Sequence, residues 1–195
     1  MKYMASLLTF ACLALSPLPA YGQGNPSDDN AEISALFKAD QSVRENIKPE
    51  QFKDRAFVTQ MIANDRARRD RAHALLEEGK LKTADDFYRA AFIFQHGNTA
   101  NDYLLAHSLA LAATARGNKD APWIAAATLD RYLQTIGQKQ IYGTQYLNSR
   151  ETGPTMEPYD RTLLPDTLRE TAGVPSQAKQ QERLEKMKSS GTLGR

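Results

Sequence analysis

Three histidines, several aspartate–arginine pairs and one amide-rich segment carry the chemistry open to this chain. Asp65, Arg68 and Arg69 share one stretch, Gln95 and His96 close a second, and His107 sits in a third. Asp130-Arg131 lies in a fourth, followed by Gln140-x-Tyr142-Gly143-Thr144-Gln145. An imidazole beside a carboxylate can hold and move a proton, so Asp65 with His96 and Asp130 with His107 are candidate acid–base pairs. The guanidinium groups of Arg68, Arg69 and Arg131 suit an anionic group. Gln95, Gln140, Tyr142 and Gln145 suit hydrogen bonding to a polar ligand.

Other chemistries find no footing. His73, His96 and His107 lack His-x-x-x-His or Cys partners. His96 and His107 also differ in height by roughly 7 Å when their helices are laid side by side at ~1.5 Å per residue. No metal site is expected. There is no Gly-x-Ser-x-Gly elbow, no phosphate-cradling glycine loop, and Cys12 is the only cysteine. The sequence implies no cofactor.

The elements that must position these groups read as a helix-turn-helix unit written twice. Residues 64–97 run through Gly79 to Phe94-Gln95-His96-Gly97; residues 102–137 run through Gly117 to Leu133-Gln134-Thr135-Ile136-Gly137. The stop glycines are offset by 38 and 40 residues, a spacing that suits stacked helical hairpins. Thr83 with Asp86 and Thr99 with Asp102 are capping-box variants, and Asp120 before Pro122 opens another helix. Ile33, Leu36, Phe37 and Val43 predict an earlier amphipathic helix over 31–46. A helix from Pro49 to Glu78, or one broken near Asn64, would turn Phe52, Phe57, Met61 and Ile62 inward. No segment alternates with period two for long enough to argue a strand. The predicted fold is all-α: antiparallel helical hairpins of tetratricopeptide or SEL-like spacing, about 5–7 helices, with a long Gly/Pro/Tyr-rich loop over 138–165.

Matching heights across each turn gathers the polar groups. Arg68 comes level with Gln95, Asp65 with the stop after His96, His96 with Asp102, and His107 with Asp130 and Arg131. One end of the bundle is expected to collect Asp65, Arg68, Arg69, Gln95, His96, Gln140, Tyr142 and Gln145, with His107, Asp130 and Arg131 one to two turns deeper.

An architectural reading stands beside each functional one. Asp65/Arg69 and Arg66/Asp70 are i,i+4 pairs that support an exposed helix by a few tenths of a kcal/mol. His96 can cap the negative end of its helix. His107 shares a stripe with Tyr103 and Leu111, where a buried histidine would make one structural hydrogen bond. The Asp130-Arg131 charges, on a helix apolar on most sides, need partners, and pinning the 138–145 loop would supply them.

Bulk properties frame these readings. Lys2, the apolar run Leu7–Leu18 and Ala20-Tyr21-Gly22 form an export signal over 1–22, cut before Gln23. An anchor formed from an uncleaved signal is the alternative. Its removal takes Cys12 and Lys2, leaving 24 Lys+Arg against 23 Asp+Glu. That balance gives no argument for nucleic acid, and without cysteine the mature chain must be held by packing. Residues 23–31 read as a disordered lead-in, 32–175 as a single helical domain, and 176–195 as a charged, partly frayed tail helix. No transmembrane segment is expected once the signal is gone, and the location would be periplasmic or secreted.

Several strings resemble one family. They are Asp65-x-x-Arg68-Arg69, the run from Ala84 to Gly97, Tyr103-Leu104-Leu105-Ala106-His107, Leu129-Asp130-Arg131-Tyr132-Leu133 and Gln140-x-Tyr142-Gly143-Thr144-Gln145. Together they resemble a bacterial exported domain family of unknown function marked by its Asp-Arg helix and Tyr-Gly-Thr-Gln element, over roughly residues 36–175. The resemblance brings no activity, substrate or cofactor. It implies that these polar groups are family hallmarks. The hairpin rhythm is similar to tetratricopeptide and SEL-type repeats, which are mostly protein-binding scaffolds. Two functions are expected: a binding protein for a protein or small polar ligand at the His96/Tyr142–Gln145 end, or a hydrolase or transferase using His96 or His107 with Asp130/Arg131.

Overall fold

The computed structural model describes residues 28–149 and 153–190. The expected signal over 1–22 lies outside the described residues. The helices are α1 (Ala31–Asn46), α2 (Arg55–Glu77), α3 (Ala84–Phe94), α4 (Ala100–Ala115), α5 (Ala121–Thr135), α6 (Asp166–Thr171) and α7 (Gln177–Ser190). The fold is all-α, as its punctuation implies. None of these helices is long and apolar enough to cross a membrane.

Local chemistry sets most boundaries. The Thr83 and Thr99 hydroxyls accept from the Asp86 and Asp102 amides, while each aspartate accepts from the threonine amide in return. Asp54 caps α2 after a 3-10 turn over Pro49–Lys53, so the chain breaks there rather than at Asn64. Asp120 makes no side-chain cap; Asn118 Oδ1 takes the Asp120 and Ala121 amides instead. Gly79, Gly117 and Gly137 end their helices at positive φ.

α4 packs against α3 on one side and α5 on the other. The small residues Ala90, Ala91, Ala106, Ala110 and Ala125 let these helices approach around Leu75, Ile93, Phe94, Leu109 and Ile124. α1 joins the same core through Ile33, with Leu36 and Phe37 beside it. Phe52 and Ile62, expected inward, are 57% and 56% exposed. Phe52 lies in the 3-10 turn ahead of α2, and every residue of α2 before Asp65 is exposed or half-buried, because no neighbouring helix covers that stretch fully.

Three further expectations are corrected. Of the lead-in expected over 23–31, residues 23–27 lie outside the described residues and 29–31 are tied down: Asp29 pairs with Arg89 and accepts from Thr83 Oγ1, both at 2.7 Å, and Asn30 caps α1. A short antiparallel pair, β1 (Leu147–Ser149) with β2 (Gly153–Thr155), interrupts the long loop. The tail helix expected over 176–195 packs against β2 within Gln177–Ser190, and residues 191–195 lie outside the described residues. Leu184 and Met187 are buried, and Leu184 packs with Met156 and Tyr159.

Candidate functional site

The predicted residues separate into two polar clusters that meet α5 at the adjacent positions Asp130 and Arg131. The first is built around Asp40, a buried carboxylate on α1. Arg44, one turn on, bridges Asp40 Oδ1 and Asp65 Oδ2, each at 2.9 Å. Arg68 binds Asp65 Oδ1 and brings its Nε to 3.4 Å from Asp40 Oδ1. His96 Nδ1 lies 2.9 Å from Asp40 Oδ2. That approach is close enough for Coulomb attraction but is not aligned as a hydrogen bond, and the same is true of Arg68 Nε. Arg69 donates to the His96 carbonyl at 2.9 Å and lies 3.9 Å from Asp102.

α5 closes this cluster with Arg131. Its guanidinium lies near the Tyr103 hydroxyl, which donates to the Gly97 carbonyl at 2.8 Å, one residue from His96. Burial lowers the pKa of His96; Asp40 opposes this, and the Arg44 and Arg131 charges reinforce it. Burial also lowers that of Arg131, with Tyr103 opposing and Arg44 adding to the shift. The imidazole is thus set among three guanidinium groups and two carboxylates, with burial disfavouring its charged form. Beside it, Arg69, His73, Phe94 and Asp102 line an open cleft of about 360 Å³ that reaches the exposed Ile62.

The second cluster joins the loop to the bundle. Asp130, fully buried, accepts from the amides of Ile141, Tyr142 and Thr144 and from Thr144 Oγ1, at 2.7–3.0 Å. Gln140 accepts from the Gln145 amide at 2.9 Å and donates to the Gln145 and Met156 carbonyls. The Gln145 side chain donates to the Ala127 carbonyl at 3.2 Å and to Thr144 Oγ1 at 2.8 Å. Gly143 turns at φ +80°, where a Cβ would stand 2.5 Å from Gln180 Oε1 and 2.6 Å from the Tyr159 ring. Arg169, also fully buried, donates to Tyr159 Oη at 3.0 Å and to the Leu164 carbonyl.

The structure brings Asp65, Arg68, Arg69 and His96 together and adds Arg131, which the cross-turn matching set one to two turns deeper, level with His107. Gln95 is buried next to His96. Asp130, Gln140, Gln145 and the Tyr142 backbone belong to the other cluster, and their hydrogen bonds stay within the loop and α5. His107 serves neither: its Nδ1 pairs with the Ala125 carbonyl at 2.9 Å, tying α4 to α5. Sequence reasoning missed Asp40 and Arg44, whose only local signal is their i,i+4 spacing, and it missed Tyr159, Arg169 and Gln180.

The chain matches no family model, no curated protein and no solved structure.

Proposed function

We propose that this is an exported helical-hairpin protein that binds a protein or small polar ligand at its His96 end. The observation that carries this reading is the Asp40–Asp65–His96 cluster, where side chains from α1, α2 and α5 converge around an imidazole at the end of α3. A buried set of charges is a poor device for stability alone. The open cleft beside Arg69 and Asp102 favours a partner surface over an enclosed substrate chamber. The hydrogen-bonding capacity of Asp130, Gln140 and Gln145 is taken up by the loop, so recognition falls to the His96 side. The helical-hairpin rhythm and its small residues agree with a binding scaffold. They name no partner.

The test is a pull-down from periplasmic extract with wild type and His96→Ala side by side. A protein retained by wild type and lost with His96→Ala supports the reading. Equal retention by both proteins, with circular dichroism unchanged, overturns a binding role for this end.

The 2.9 Å approach of His96 to Asp40 supports a second reading, in which His96 is the acid–base group of a hydrolase or transferase. Turnover in a hydrolase and transferase screen that disappears in His96→Gln would favour it.

A further inference from the structure

Four buried side-chain nitrogens among the described residues have no hydrogen-bond partner: Arg68 Nε, His96 Nδ1, Arg131 Nε and Gln134 Nε2. Native proteins leave few such groups, and each one calls for an explanation. Here they are not scattered. Arg68 and His96 both face Asp40, Arg131 is close enough to act on the His96 charge, and Gln134 lies one turn further along α5 on the Arg131 side.

The charges are unbalanced in the same place. Asp40 and Asp65 are shared by Arg44 and Arg68. Arg131 has no carboxylate partner among the described residues; its neighbours are the Tyr103 hydroxyl and the like charge of Arg44. The adjacent Asp130 carboxylate is taken up by the loop amides and Thr144. Water would satisfy the orphan N–H groups, but it would leave a half-buried guanidinium without a counter-charge.

We propose that Arg131 and Gln134 bind a single carboxylate group, with Arg68 and His96 flanking it. Arginine offers a carboxylate two parallel N–H donors, and an amide N–H₂ beside it adds a third. Three guanidinium groups against two carboxylates leave room for one negative charge. A phosphate dianion would need a further positive charge, and the Arg44 and Arg68 guanidinium groups are already paired with Asp40 and Asp65. The cluster is tight: the Arg44, Arg68 and His96 side chains are 25%, 10% and 16% exposed. The group that enters is therefore narrow, either a small carboxylic acid or the terminal carboxylate of a peptide. This inference rests on the binding reading above and names the ligand chemistry of the same site.

The experiment is NMR of the full mature chain, following the arginine Nε–H and histidine ring signals. The probes are acetate, a short peptide with a free C-terminus, its amidated counterpart, and inorganic phosphate. Saturable movement of the Arg131 Nε–H signal by acetate or by the free peptide, with a rise in the His96 pKa on binding, is expected. Acetate alone points to a small acid, whereas the free peptide binding more tightly than acetate and than its amide points to a chain terminus. Arg131→Gln should weaken the interaction by about 10-fold or more, which corresponds to one strong contact. Gln134→Leu, which keeps the volume, should weaken it less and guards against an Arg131 variant that fails to fold.

No saturable shift with either carboxylate overturns the proposal. So does wild-type affinity in both folded variants, or phosphate binding as tightly as acetate. Loss of carboxylate binding with His96-dependent capture of a partner intact removes this inference alone. Failure of both removes the binding reading as well.

Discussion

The two clusters on α5 differ in how completely their polar groups are paired. Around Asp130, three amides and a hydroxyl point at one carboxylate, and both ends of the Gln140 amide are used. On the Arg131 side, Arg131, Gln134, Arg68 and His96 each keep a nitrogen without an aligned hydrogen bond, Arg68 and His96 reaching Asp40 only as ion pairs. Satisfied networks fix a fold, whereas partly satisfied ones raise its energy unless something else completes them. Asp130 and Arg131 are neighbours in sequence, yet one secures the architecture and the other faces a surplus of positive charge.

The sharpest break of that contrast is Asp130→Ala. It would strand three backbone amides and the Thr144 hydroxyl, and the expected loss is about 3–5 kcal/mol, since each stranded buried donor costs ~1–3 kcal/mol before relaxation. Thermal melting should show a fall on the order of 10 °C. A fall of only a degree or two would mean that the loop is pinned elsewhere. Gly143→Ala comes next, because it combines a left-handed backbone with a clash against Gln180 and Tyr159. Strain of this kind costs about 1–3 kcal/mol, read as a shift of the urea midpoint without a change in slope. Gln145→Ala loses only the bonds to Ala127 and Thr144, so about 1 kcal/mol is expected with helicity intact.

Arg131→Met tests the other side. Replacing a half-buried cation that has no carboxylate by an apolar chain of similar length should leave stability within about 1 kcal/mol of wild type or raise it. A loss as large as that of Asp130→Ala, measured by the same melt, would show that the Asp40 cluster is saturated after all and erase the comparison.

What could be seen in advance follows the same division between local and distant contacts. The Thr83/Asp86 and Thr99/Asp102 caps and the glycine stops are written within four residues of one another, so helix starts and ends were legible. Turn-by-turn height matching put Asp65, Arg68, Arg69 and His96 at one end of the bundle, because a short turn leaves little freedom. Asp40 and Arg44 were not legible as site residues. Their stripe of Ile33, Leu36, Phe37 and Val43 reads as an ordinary amphipathic helix, and their partners on other elements lie 21 or more residues away. Arg169 and Gln180 were missed for the same reason: their contacts reach back 28 and 38 residues to the loop. The inward reading of Phe52 and Ile62 failed because apolar spacing marks a face without saying whether any helix arrives to cover it.

The smallest expected effect concerns protons. Burial lowers the His96 pKa, against the pull of Asp40 and with the help of Arg44 and Arg131, while Arg69 holds the His96 carbonyl from α2. As pH falls through ~6.5, the unfolded chain takes up a proton that the folded chain still refuses. The unfolded state then binds more protons, so this contribution is complete above that pH and is lost progressively down to the lowered folded value. Urea titrations of wild type and His96→Gln at several pH values between 7.5 and 5 isolate it, and one proton bounds the difference in slope at about 1.4 kcal/mol per pH unit. Wild type should lose stability faster than the variant on acidification. Parallel curves would place the imidazole in solvent-like surroundings, and a steeper loss in the variant would mean that Asp40 outweighs burial and the two guanidinium groups.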